Sequence, residues 1–68
     1  MAALDIDIEI PDPNKRPTIS VPEAGKFFRL KRAASYEAAK RGEIPTIPVG
    51  RYLKVPTAEF LRMLGLYP

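Results

Sequence analysis

The 68-residue chain has no cysteine and no histidine. Disulfide frameworks and the common zinc sites are thereby excluded, as is catalysis by a thiolate or an imidazole. The composition is compatible with a reducing compartment. No apolar run approaches the ~20 residues of a membrane span, and the first residues lack the basic-then-apolar order of a secretory signal. Neither a Gly-rich phosphate loop nor a nucleophile paired with a base is present, so an enzyme is the least expected class. A chain of this length makes one small domain burying ~60% of its unfolded surface. That leaves little room for a pocket, and no cofactor, metal or small-molecule ligand is expected.

What the chain does have is segregated charge. Residues 1–17 carry Asp5, Asp7, Glu9 and Asp12 against Lys15 and Arg16, a net −2, whereas residues 18–68 carry +5 within a total of +3. The basic part is also the part with the means to fold. Such a balance favours polyanionic partners, nucleic acid above all; a solvated, solubilising surface is the plainer alternative.

Residues 32–41, RAASYEAAKR, hold four alanines and no Gly or Pro. This predicts a helix stopped by Gly42 in a left-handed conformation, with Lys40 and Arg41 in the last turn, where cations suit the helix dipole. At about 100° per residue, Arg32, Ala33, Tyr36, Glu37, Lys40 and Arg41 fall on one half of the surface, and Ala34, Ser35, Ala38 and Ala39 on the other. The small half must lie close against bulky partners, for which Phe27 and Phe28 are the nearest candidates.

Taken in order, Leu4, Ile6, Ile8 and Ile10 alternate with Asp5, Asp7 and Glu9, a half-buried strand pattern, and Pro11, Pro13 and Pro17 then make a stiff linker. The strand can add to the edge of a later ribbon, pair with a second copy, or stay without a partner. Residues 1–17 are read as this acidic tail and linker, and 18–68 as the domain. Ser20-Val-Pro-Glu23 has capping-box spacing, with Pro22 acceptable in a first turn. The helix it opens carries Ala24, Phe27 and Phe28 and ends near Arg29, despite Gly25, which costs about 1 kcal/mol against Ala. Residues 28–31 are then a tight turn, giving a helix-turn-helix.

Beyond Gly42, Ile47 and Val49 on one arm and Leu53 and Val55 on the other predict a two-strand ribbon. All four share a face if Val49 opposes Leu53 and Ile47 opposes Val55, making Gly50-Arg51-Tyr52 a three-residue loop. A two-residue loop, pairing Val49 with Tyr52 and Ile47 with Lys54, is the less favoured alternative. In the preferred register Arg51 and Tyr52 form the tip and Pro48 and Lys54 the outer face, and Pro48, lacking an N–H, marks an open edge. Pro56-Thr57 opens a last helix with Phe60, Leu61 and Leu64 as its apolar stripe and Gly65 as its stop. The expected fold is mostly α with a small β-hairpin, a winged helix-turn-helix with an extra N-terminal strand as an option.

Ser20-Val-Pro-Glu23-Ala24, Tyr36, Lys40-Arg41-Gly42-Glu43-Ile44-Pro45, Val49-Gly50-Arg51, Leu53-Lys54-Val55-Pro56 and Phe60-Leu61 together resemble the excisionase-type DNA-binding domain, a small winged helix-turn-helix related to the DNA-reading part of the MerR regulators. The resemblance covers about two thirds of the chain, and its specificity lies in the order and spacing of the pieces. Three positions depart from the pattern: Lys31 stands where a capping Ser is usual, Arg29 where Gly is common, and Pro48 where the wing often carries a base.

The resemblance implies that the second helix enters the major groove of double-stranded DNA and the wing tip the adjacent minor groove. The residue chemistry agrees. Arg32 suits a bidentate contact to guanine, and Tyr36 and Lys40 a base edge or a phosphate. Arg51 suits a narrow minor groove, and Lys31, Arg41 and Lys54 suit phosphates. Ala33 and Tyr52 complete the candidate DNA-facing set. Two alternatives stay open: Tyr36 as a core side chain under the wing, and Arg41 as a solvated helix end. Glu37 can orient Arg32 or Arg41, or accept from cytosine.

The expected function is that of a phage or mobile-element excisionase, a directionality factor that binds repeated sites, bends DNA and assists an integrase. A stand-alone transcriptional regulator is the alternative, and a protein-interaction module using an exposed strand is a third reading. With no long extra helix for a dimer, a monomer meeting copies of itself along DNA in a bacterial cytoplasm is expected.

Overall fold

In the computed structural model, which describes residues 9–68, the elements follow in the order β1 (Thr18–Ser20), α1 (Val21–Lys26), α2 (Arg32–Lys40), β2 (Ile47–Val49), β3 (Tyr52–Pro56) and α3 (Thr57–Met63). Three helices of 6, 9 and 7 residues accompany an antiparallel three-strand sheet ordered β1-β3-β2. The architecture is mixed α/β, with more sheet than the expected hairpin. No helix among the described residues is long and apolar enough to cross a membrane.

The third strand comes from Thr18–Ser20, not from the alternating tail. Most of that tail, Leu4 to Ile8, lies outside the described residues, and Glu9 and Ile10 are not in a strand. Thr18, Ile19 and Ser20 pair with Pro56, Val55 and Lys54, which seats Ile19 beside Val55 in the core. The Pro17 carbonyl accepts the Thr57 N–H at 3.0 Å, tying the start of β1 to the first turn of α3. Ahead of it, Asp12 forms a tight turn: its carboxylate accepts from the Asn14 amide and its carbonyl from Lys15 and Arg16. This turn brings the Arg16 guanidinium onto Glu23.

The capping box at Ser20 forms as its spacing predicts. The hydroxyl accepts the Glu23 N–H at 3.1 Å and the Glu23 carboxylate accepts the Ser20 N–H at 2.9 Å. Hydrogen bonding to the Ser20 amide first, and to Arg16 second, holds the Glu23 carboxyl below its ordinary pKa. A carboxyl whose folded pKa is depressed stabilises the fold above its unfolded pKa, about 4.3 for Glu, and loses that contribution as pH falls through the folded value. Urea midpoints should therefore decline below about pH 4.3 in the native protein and decline less in Glu23→Gln.

α1 is shorter than expected. It ends at Lys26, and a turn follows in which the Leu30 N–H reaches the Gly25 carbonyl and the Arg29 N–H the Lys26 carbonyl, both at 3.0 Å. This closure requires Arg29 in the left-handed region (φ 61°), where a side chain is strained and Gly is at ease. α2 ends as expected, with Gly42 at φ 78° and amides of Gly42 and Glu43 returned to the carbonyls of Ala39 and Ala38.

The small face of α2 is buried through Ser35, Ala38 and Ala39, but its closest partner is a glycine. A Cβ built on Gly25 would lie 1.7 Å from Ser35 Oγ and 2.6 Å from Ser35 Cβ. Gly25 is thus the point at which α1 and α2 cross, and the helix propensity lost there is the condition for that crossing. Phe27 packs against the core cluster that holds Ala38 and Ala39, and the rings of Phe27 and Phe28 meet the fully buried Phe60 in T-shaped geometry at centroid distances of 5.4 and 6.0 Å. Val21, Ala24, Ile44, Val55 and Leu61 complete the core.

The ribbon corrects the preferred register. Val49 pairs with Tyr52, Pro48 with Leu53 and Ile47 with Lys54, so the loop is the two-residue Gly50-Arg51 and Tyr52 belongs to β3. Turn chemistry overrides apolar parity: Gly50 has φ 61° while Arg51 does not have positive φ, the requirement of a type II′ hairpin with Gly at its first central position. Pro48 consequently shares the core-ward face with Leu53 and Val55, and Lys54 shares the outer face with Ile47, Val49 and Tyr52. Pro48 does lie on an open edge, since β2 is the last strand of the sheet.

Lys31 is the N-cap of α2, in extended geometry, with no side-chain cap. A cation at this end also opposes the helix dipole. Lys31→Ser should raise stability by about 1 kcal/mol, read as a higher urea midpoint at unchanged slope.

Candidate nucleic-acid interface

α2 has one face committed to the core and one left to solvent. Lys31, Arg32, Ala33, Glu37, Lys40 and Arg41 are all exposed, while Ala34 and Tyr36 are half-buried at the boundary. The strip expected from a 100° wheel is therefore the strip that solvent reaches. Arg32 is held along it: its guanidinium carbon stands 5.4 Å from the centroid of the Tyr36 ring, one turn on, a cation–π arrangement that restrains the long side chain without consuming its hydrogen-bond donors. Tyr36 is half-buried, packing against the core cluster while its ring supports Arg32.

Ser35 holds the start of this helix from beneath. Both its amide and its hydroxyl donate to the Lys31 carbonyl, at 2.8 and 2.9 Å. The hydroxyl is fully buried, and the bond gives it a partner inside the helix–helix contact, where an unpaired polar group would cost about 1 to 3 kcal/mol.

At the other end of the strip, Arg41 is already engaged. Its Nε and Nη2 donate to the two oxygens of Glu43, at 3.2 and 3.1 Å. The hydrogen bonds from Glu43 raise the Arg41 pKa above its ordinary value, and Glu37 adds a weaker favourable field. Arg41, expected as a phosphate contact or a solvated helix end, is thus paired with Glu43, a residue to which the sequence assigns no role. The signal was the Arg-Gly-Glu order, because a left-handed Gly turns the chain so that side chains two apart meet.

Arg51 occupies the hairpin loop, exposed, with its guanidinium 6.0 Å from the Tyr52 ring centroid. Tyr52 itself is 62% exposed. Lys54 is half-buried on the outer face, opposite Ile47. Of the six cations assigned to DNA in the sequence, Lys31, Arg32, Lys40, Arg51 and Lys54 have no carboxylate partner among the described residues, and only Arg41 does. No group of three or more potential metal-ligating side chains occurs among those residues.

Comparison with protein-family models, curated proteins and solved structures finds no match for this chain.

Proposed function

We propose that this chain is a double-stranded DNA-binding domain, a winged helix-turn-helix in which α1 and α2 form the helix-turn-helix and β2–β3 the wing. The observation that carries the reading is the division of α2: its small residues are buried, and its outer strip offers Arg32 and Lys40 one above the other with Tyr36 between them. A helix so divided fits the major groove, which is wide enough for an α-helix and exposes base-edge acceptors that guanidinium and ammonium groups bind. Arg51 at the hairpin loop is the minor-groove contact, and Lys31 and Lys54 are phosphate contacts.

Within this class an excisionase-type directionality factor fits best. A single small module with few base contacts has modest affinity, and repeated sites filled side by side beside an integrase supply the missing specificity. A transcriptional regulator would use the same surface, and an integrase gene next to this one, as against a divergent promoter, separates the two. The test of the class is binding of random duplex DNA across a salt series. If each of the five cations turned to DNA displaces one counterion, the slope of log affinity on log salt should be about −4.5. Absence of binding at the lowest salt would overturn the proposal.

A second reading is favoured by one observation. Ile47, Val49 and Tyr52 share the outer face of the ribbon and are 40, 51 and 62% exposed. An apolar patch of this kind suits a protein partner, so an interaction module is what remains if DNA is not bound.

A further inference from the structure

The Arg41–Glu43 pair stands apart from the rest of the basic surface. The other five assigned cations bring their charge to DNA uncompensated, whereas the Arg41 guanidinium spends two donors on one carboxylate at 3.2 and 3.1 Å. Glu43 is held in place by the backbone. Its amide donates to the Ala38 carbonyl at 2.9 Å, and Gly42 at φ 78° reverses the chain between the two side chains. The pair is thus built into the helix stop, on the turn that continues the outer strip of α2. Both side chains are 59% exposed, which leaves them open to solvent and to any polyanion laid along the strip.

We infer that Glu43 masks Arg41 from the DNA backbone, acting as an internal competitor that withholds one phosphate contact from non-specific binding. The inference rests on the DNA-binding reading. Its physical basis is that counterion release scales with the net cationic charge delivered to the phosphates. An arginine neutralised by its own carboxylate delivers none, and a carboxylate brought against the backbone is repelled. An exposed pair is also weak in water, so a phosphate in ideal geometry can displace Glu43. The mask therefore acts most on loosely held, sequence-independent complexes, lowering background binding along random DNA.

The test uses the full chain and a short random-sequence duplex across a salt series. Four proteins are compared: native, Glu43→Gln, Arg41→Ala, and the double variant. Glu43→Gln should steepen the slope by about 0.9, which is about a 3.5-fold larger loss of affinity between about 50 and 200 mM salt. Arg41→Ala alone should change the native slope by less than half of that, and in the double variant the gain from Glu43→Gln should disappear. Native-like circular dichroism and thermal midpoints in all four keep the comparison clean, since both residues are exposed.

If Arg41→Ala flattens the native slope by a full phosphate contact, Arg41 already meets DNA and the mask is overturned. It is also overturned if Glu43→Gln steepens the slope equally with Ala at position 41, since Glu43 would then act by general repulsion alone. If native protein and Glu43→Gln both fail to bind at low salt, the DNA-binding reading falls and the masking inference falls with it. Salt-dependent native binding that Glu43→Gln leaves unchanged overturns the mask alone.

Discussion

Gly25→Ala should destabilise the protein by about 2 kcal/mol net, although it replaces the poorest ordinary helix former with the best. The two effects can be weighed. Ala gains about 1 kcal/mol of helix propensity over Gly. Against this, the new Cβ would lie 1.7 Å from Ser35 Oγ and 2.6 Å from Ser35 Cβ. Rotating the hydroxyl relieves only the first contact, so α1 and α2 must separate. Overpacking of this kind costs about 3 kcal/mol at the upper end of the usual range, occasionally more. For a domain of this size the thermal midpoint should fall by roughly 8 to 16 °C.

The identity of the obstacle can be read from second-site variants. With Ser35→Ala the Cβ contact at 2.6 Å persists, and rescue should be slight. With Ser35→Gly the nearest remaining Ser35 atom is the Cα at 3.5 Å, an ordinary contact, and Gly25→Ala should become much less damaging despite the weaker helix at position 35. Circular dichroism melts of the four proteins measure this. A Gly25→Ala protein as stable as the native one would mean that the helices do not cross at Gly25.

The second large effect is expected on DNA. Replacing Arg32 and Lys40 together by Ala should flatten the salt slope by about two phosphate equivalents, near 1.8, if both face the nucleic acid. Arg32→Ala alone should cost about 1 to 3 kcal/mol on a specific site and relax preference at one base pair. The fold should not register these changes, because both side chains are exposed and Tyr36, which Arg32 covers, keeps its contact with the core cluster. A double variant with native thermal stability and an unchanged slope would remove α2 from the interface and direct attention to the exposed apolar face of the ribbon.

How far the sequence could be read depended on the range of the forces at each position. The capping box at Ser20 and Glu23 and the stops at Gly42 and Gly65 were legible, because each depends on backbone groups within a few residues. The facing of α2 was legible for a related reason: helical geometry sorts Arg32, Glu37 and Lys40 from Ser35, Ala38 and Ala39 whatever lies around them. The hairpin was legible in extent but not in register. Parity of Ile47, Val49, Leu53 and Val55 argued for one shared apolar face, whereas Gly50 at the first loop position argued for a two-residue turn. Local turn geometry prevailed, and Ile47 and Val49 were left facing outward.

The sequence by itself determined where the helices begin, where α2 and α3 stop, which face of α2 is small and which is basic, and the charge offered to a partner. Only the tertiary structure decided that Thr18–Ser20 completes the sheet through Ile19 and Val55, that Gly25 is the crossing point of two helices, and that Arg41 is held by Glu43. The physical reason is distance along the chain. Strand pairing across 36 residues, an interhelical contact and a side-chain bridge across a left-handed turn depend on where separate segments come to rest, and no local propensity encodes that.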